Sequence, residues 1–395
     1  MRIKRLRLLL VELWQPVVLI LLGVLLISFL LFYKLSSLTP GLSTSEVISH
    51  NAASSVSVIV RNPVYAPYKL LSYLLSKTGL PIKFSIRAAS AAFAALTIGL
   101  FYYIVSRWHS TRVALFGSFL FASSAWLLHY ARYASPDISS TLLLAALAYG
   151  HWFRKTKRSV IAVVIGSILV SSLMYVPGMI WVIILAIIWQ RKQVKIHLRP
   201  LKYNLPLVIV ITALLLVPLV YGVIRQPSLI KILIGLPATG LPKPYDFLRH
   251  LINVPVQIFV RGAYNPTVWL GRLPLLDVFS SVILLLGIYS YYHKRQLDRA
   301  KLLAGSLVIG SLLVALHGSV SIIILAPTIY LLMSSGVGYL LNQWLMVYPR
   351  NPLARGIGIG LVSLLIAMCC FYNLKQYFVA WPSAPATKRV FQQQL

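Results

Sequence analysis

The sequence predicts an all-α polytopic membrane protein of about 11 transmembrane helices, and three observations carry that expectation. Of its 395 residues 59% are apolar, and the mean hydropathy is +0.82. The apolar residues come in long runs, and a helix needs about 17–25 of them to cross roughly 30 Å of hydrocarbon. Charge is scarce and one-sided, with 37 Lys and Arg against 6 Asp and Glu, a net charge of +31. An ordinary soluble domain carries about 25% charged residues, so that class is excluded by the 11% found here.

The runs lie near 14–33, 84–108, 112–129, 138–153, 158–175, 176–190, 204–224, 275–292, 302–316, 319–340 and 356–374. Arg2, Lys4, Arg5 and Arg7 precede the first. Its apolar stretch is too long for a signal peptide and no small-x-small cleavage site follows, so it is expected to remain as an anchor. Short basic loops resist translocation and set orientation. Segments 1–13, 107–112, 154–158, 191–203, 293–301 and 341–355 hold 21 of the 37 bases. The expectation is one transmembrane domain over 1–395 in the cytoplasmic membrane, with the N-terminus in the cytoplasm. Two long loops, 34–83 and 225–274, then face outside. The basic clusters sit between apolar runs, so their expected partners are anionic lipids and not nucleic acid.

The six acids divide unequally: Glu46, Asp137, Asp246 and Asp277 fall outside, Glu12 and Asp298 inside. A cytoplasmic nucleotide-sugar transferase needs paired acids on a metal, and an ATP-driven pump needs a phosphate-cradling loop with Lys. Neither pattern is present on that side. The glycines of RGIGIG (Arg355 to Gly360) and SSGVG (Ser334 to Gly338) lie in apolar runs after no strand, which reads as close helix packing. Cys369 and Cys370 are adjacent in an apolar run, so neither a disulfide framework nor a CxxC zinc site is expected.

In the first outer loop Pro40 and Gly41 read as a turn, and Ser43 with Glu46 three residues later reads as a capping box opening a helix over 44–59. A second helix, 66–78, follows Asn62 and Pro63. Both carry apolar residues at helical spacing, which suits a membrane surface. The fourth run is entered through HYARYASPDISS (His129 to Ser140), with Asp137 just past Pro136. Glu46 and Asp137 each read in two ways, as helix caps or as working carboxylates, because an ionisable group at membrane depth is costly unless it acts or is paired.

The order of basic N-terminus, span, acid in a helical outer loop, two spans and an Arg-x-Ala-x-Pro-Asp-like second loop is similar to the C-type (GT-C) glycosyltransferases. Within them it resembles the protein O-mannosyltransferase and lipid A aminoarabinose transferase branch over residues 1–190. The resemblance implies transfer of a sugar from a polyprenyl-phosphate donor to a hydroxyl of a protein, glycan or lipid outside the cytoplasmic leaflet. It implies Glu46 and Asp137 as the catalytic acids. Two departures are visible: Ser45-Glu46 stands where many relatives carry Asp-Glu, and Asn62-Pro63-Val64-Tyr65-Ala66-Pro67-Tyr68-Lys69 stands where His-Pro-Pro or Lys-Pro-Pro often follows.

Such chemistry needs a carboxylate for the acceptor proton and cations for the departing phosphate, with inversion if displacement is single. Arg132, Lys69 and Arg87 are the candidate phosphate contacts, and Asn62, Tyr68 and His50 complete the substrate-binding candidates. Lys69 and Arg87 read equally as side chains reaching headgroups. His50 lies four residues after Glu46 and could share its proton; a divalent metal on that pair is the alternative. Lys243, Tyr245, Asp246, Arg249 and His250, with Tyr264 and Trp269 beyond, read as a sugar-gripping cluster or an interfacial aromatic belt. A lipid-phosphate carrier or transporter, or an inactive membrane scaffold, shares the layout.

Overall fold

The computed structural model describes residues 18, 21–155, 160–198, 205–237, 240–262, 270 and 272–393. The basic N-terminal residues, Tyr264 and Trp269 lie outside these. The structure is 79% helical, and the described residues contain no strand, only an isolated bridge between Leu42 and Gln393.

Among the described residues each of the eleven apolar runs is largely helical, the third as two helices and the fourth entered through a 3₁₀ turn. Four are long and apolar enough to cross a membrane unaided: Ile82–Trp108, Pro206–Arg225, Ile322–Val347 and Pro352–Ser383. A fifth crossing is made if Thr111–Ser123 and Ala125–Arg132 count as one broken span. Leu21–Phe32, Val160–Met174, Met179–Ile188 and Val278–Tyr292 are apolar but shorter. Among the described residues, these long helices and the shorter apolar ones support an integral membrane protein; four or five of them have the length of a full crossing, which does not by itself reproduce the eleven spans predicted from the sequence.

The described helices in chain order begin with α1 (Leu21–Phe32), followed in the first long loop by α2 (Thr44–Asn51), α3 (Val56–Arg61) and α4 (Ala66–Ser76). Then come α5 (Ile82–Trp108), α6 (Thr111–Ser123), α7 (Ala125–Arg132) and α8 (Leu143–Lys155), the last entered through a 3₁₀ turn, Pro136–Leu142. The middle holds α9 (Val160–Met174), α10 (Met179–Leu198) and α11 (Leu205–Arg225), with α12 (Ser228–Leu233) and α13 (Pro244–Phe259) in the second long loop. The chain closes with α14 (Val278–Tyr292), α15 (Asp298–Ala315), α16 (Ala326–Val347), α17 (Pro352–Lys375) and α18 (Pro385–Val390).

Helix α16 runs through the centre: its apolar window, begun in the 3₁₀ turn before it, is 94% buried, against 11% for α11 at the periphery. Glycine makes the central packing possible. A Cβ on Gly336 would fall 2.0 Å from the Ile283 carbonyl oxygen, and one on Gly287 would fall 1.9 Å from that of Leu332. Helices α14 and α16 thus meet backbone to backbone, and the glycine of SSGVG serves close packing.

The expected helix over 44–59 is two helices. Residues 52–55 leave the helical path, and the Ser55 side chain caps α3 by accepting the Val58 N–H. The Ser43–Glu46 capping box is present, with both reciprocal bonds formed. Between α6 and α7 the chain turns by 60° at Ser124, whose backbone is extended and whose hydroxyl caps α7. The Asn373 side chain of α17 accepts the Ala125 N–H exposed by this break.

Candidate active site

Asp137 is held by its neighbours in sequence and one residue far from it. Ser135 is the N-cap of the 3₁₀ turn, and its hydroxyl accepts the Asp137 N–H at 3.3 Å. The N-cap role considered for Asp137 is therefore taken by Ser135, which leaves the carboxylate side chain for other partners. One partner is Tyr65, whose hydroxyl donates to Asp137 Oδ1 at 2.8 Å. Tyr65 sits in the left-handed region at φ 59°, pinned by its N–H to the Tyr175 carbonyl at 2.8 Å. A non-glycine residue pays strain there, which marks a position fixed by its surroundings.

Burial raises the Asp137 carboxyl above the usual carboxylate range, partly offset by the bonds from Tyr65 and Ser135. The side chain still reaches the cavity and is half-buried, which bounds the shift. Burial, reinforced by the nearby Asp137 charge, drives the Tyr65 phenol well above its normal range, so it stays protonated and stays the donor.

Asp137 lines a cavity of about 880 Å³. Its other polar walls are Arg249, His250, Asn253 and Gln257 from α13, Arg261 and Arg272 from the segment after it, and His317, Ser319 and Ser321 between α15 and α16. Trp126 and Tyr130 of α7 complete the side nearest Asp137. The wall is braced: the Trp126 indole donates to the carbonyls of Leu273 and Pro274, and the Gly262 N–H to that of Arg272 at 3.0 Å. The His250 and His317 rings lie tilted against each other with centroids 4.8 Å apart. Asp137 is the one carboxylate in the described lining, which also holds three arginines.

Glu46 is elsewhere. It is fully buried, and its carboxylate grips Arg87 through both oxygens, at 2.7 and 3.1 Å. It also accepts the N–H of Ser43 at 2.9 Å and of Ala134 at 3.3 Å. Arg87, itself 2% exposed, spends its remaining donors on Leu35, Thr39 and Gly41. The pair ties the first long loop to α5 and to the residue three before Asp137.

The other predicted residues also stand outside the cavity. The Arg132 guanidinium donates to the carbonyls of Leu30, Leu31 and Tyr33, closing the C-terminus of α1, and lies 4.8 Å over the Phe378 ring. Those orphan carbonyls attract a cation. Lys69 donates to the Asn62 carbonyl at 2.7 Å, and burial pushes its ammonium down to about 8. Asn62 is exposed at the end of α3, and Tyr68 is buried with its hydroxyl 2.9 Å from that of Ser90. His50 ends α2 with no hydrogen bond to Glu46, and no cluster of three metal-ligating side chains occurs among the described residues.

No protein-family model and no curated protein matches the sequence. Solved structures do. The crystal structure of ArnT from Cupriavidus metallidurans in the apo state matches with a TM-score of 0.55, over 95% of this chain and 77% of that one, at 14% identity. The fold is ArnT-like. The same protein bound to undecaprenyl phosphate matches over equal spans with a TM-score of 0.55 and 12% identity. The likeness shows the fold alone, and that fold agrees with the GT-C-like architecture expected from the first 190 residues.

Of the cavity residues in this ArnT-like fold, the sequence singled out Asp137, Arg249 and His250. Asn253 and Gln257 were detectable, since Arg249, Asn253 and Gln257 recur every four residues and form a polar stripe along α13. Arg261, Arg272 and His317 lie in irregular segments and carry no periodic signal.

Proposed function

We propose that the chain transfers a sugar from a polyprenyl-phosphate-linked donor to an acceptor hydroxyl, with the cavity holding Asp137 as the reaction chamber on the extracytoplasmic side of the cytoplasmic membrane. The observation that supports this most is the composition of that cavity: one carboxylate of raised basicity opposite three arginines. The ArnT-like fold supports it too, because one of the matched structures holds undecaprenyl phosphate.

In this reading the acceptor oxygen attacks the anomeric carbon, the carbon–oxygen bond to phosphate breaks, and Asp137 takes the acceptor proton. A carboxylate with a raised pKa is the stronger base, and the Tyr65 bond keeps its ionised form accessible. A single displacement inverts the anomeric centre. The lipid phosphate begins as a singly charged diester and departs as a dianion. Arg249, Arg261 and Arg272 meet the charge that grows during bond cleavage, so they stabilise the transition state more than the donor. The planar guanidinium fork suits phosphate oxygens.

Glu46, Arg87 and Arg132 act as positioning residues in this account. They hold α1, the first outer loop and α5 in register with the segment that presents Asp137. The test is binding of undecaprenyl phosphate to the purified protein in detergent, with Arg249→Gln, Arg261→Gln and Arg272→Gln beside the wild type. Each variant should weaken binding about tenfold, the scale of one charge-assisted hydrogen bond. Unchanged affinity in all three removes the phosphate from this cavity.

A further inference from the structure

The bond between Tyr65 and Asp137 depends on a lysine that does not line the cavity. Lys69 has no carboxylate partner among the described residues, yet it is only 6% exposed. Burying an ammonium is costly unless its donors are used. Its acceptor is the Asn62 carbonyl at 2.7 Å, and Asn62 is the C-cap of α3, with φ −127° and ψ 84°. A carbonyl at a helix C-terminus lacks an intrahelical partner and sits at the negative end of the helix dipole, so a cation suits it. Burial lowers the Lys69 ammonium to about 8, which leaves it a charged donor at neutral pH.

Lys69 fastens the turn that carries Tyr65 at two points. Its ammonium takes the carbonyl three residues before Tyr65, and its N–H takes the carbonyl of Tyr65 itself at 3.0 Å. Tyr65 heads α4 without a side-chain cap bond of its own, so its hydroxyl is left for Asp137. The left-handed backbone there is strained and persists only while its surroundings hold it. The hydroxyl lies at the far end of the side chain, so a small backbone relaxation carries it out of the roughly 2.5–3.0 Å range of an O–H···O bond. We propose that Lys69 is a positioning residue for the transfer: by tying Asn62 to α4 it holds Tyr65 in the conformation whose hydroxyl reaches Asp137. This role replaces the phosphate contact expected from the sequence, and it rests on the transferase reading given above.

The test follows sugar release from radiolabelled undecaprenyl-phosphate sugars by full-length protein in detergent, with a membrane extract as acceptor source. The acid limb of kcat/KM is compared for wild type, Lys69→Met, Tyr65→Phe and the double variant, beside their binding of undecaprenyl phosphate. Lys69 stays charged throughout the acid range, and the histidines and arginines of the cavity wall are the same in every protein. Lys69→Met should move the limb up by about 1 pH unit in protein that binds undecaprenyl phosphate with wild-type affinity. In the Tyr65→Phe background the same substitution should move it no further, whereas a charge acting across space on Asp137 would act in both backgrounds. Lys69→Gln, a neutral donor one bond shorter, should fall between the two, and it carries the comparison if Lys69→Met does not fold. An unmoved limb overturns the proposal, and so do additive shifts in the double variant. Weaker binding of undecaprenyl phosphate with an unmoved limb makes Lys69 a phosphate contact instead. Failure of the wild type to turn over any of these donors overturns the transferase reading, and the role of Lys69 falls with it.

Discussion

Replacing Glu46 with Gln separates holding from reacting. Arg87 is 2% exposed and receives its only carboxylate contact from Glu46, at 2.7 Å to Nε and 3.1 Å to Nη2. Gln keeps the shape and can still accept the Ser43 N–H, so the capping box survives. It removes the charge, however, and turns an amide donor toward guanidinium donors. Removing one partner of a buried pair costs about 3–5 kcal/mol, because the remaining charge is stranded. On a chain of this size that lowers Tm by roughly 6–10 °C. Thermal unfolding in detergent, followed by tryptophan fluorescence, measures it. Glu46→Gln with Arg87→Met should recover part of the loss, since the stranded charge is gone. A Glu46→Gln protein as stable as wild type, yet devoid of sugar transfer, would refute this assignment and make Glu46 a reacting group.

Other outcomes follow from the same geometry. Tyr65→Phe removes the donor that favours the ionised Asp137, so the carboxyl pKa rises further and the acid limb of kcat/KM moves up by about 1–2 pH units. Lys69 titrates near 8 in the folded protein against an ordinary 10.5, so between those values the unfolded chain binds more protons and stability rises with pH. Lys69→Met should abolish that rise, a difference of up to about 3 kcal/mol across the window, read from denaturation at several pH values. Gly336→Ala places a methyl 2.0 Å from the Ile283 carbonyl, and forcing α14 from α16 should cost about 3 kcal/mol in the same unfolding assay.

The helices of this protein were legible because their cause is local. Apolar runs, the Ser43–Glu46 box and the prolines and glycines between elements act within a few residues, and each run is indeed helical. What those signals lack is the third dimension. Nothing near Glu46 in sequence shows that Arg87, 41 residues later, will consume it. Nothing near Arg132 shows that its guanidinium will close a helix about 100 residues earlier. The pairing of these groups is decided by tertiary contact, and burial makes the pairing obligatory once it forms.

The cavity shows the same division. Asp137 was visible because an acid is rare in this chain and follows Pro136 at a span boundary. Tyr65 was visible only as part of a motif-like stretch, and its role depends on a left-handed backbone and on Tyr175. The bond from the Gly262 N–H to the Arg272 carbonyl brings Arg261 and Arg272 to the same wall, a pairing that no periodicity encodes.

The central claim is that Asp137 is the base of a lipid-linked sugar transfer, and single-turnover release of sugar from a radiolabelled polyprenyl-phosphate donor by Asp137→Asn tests it most directly. The account predicts a rate reduced by about 10²–10⁴ in protein that retains its fold and its affinity for undecaprenyl phosphate. Release at the wild-type rate from the folded variant would contradict it.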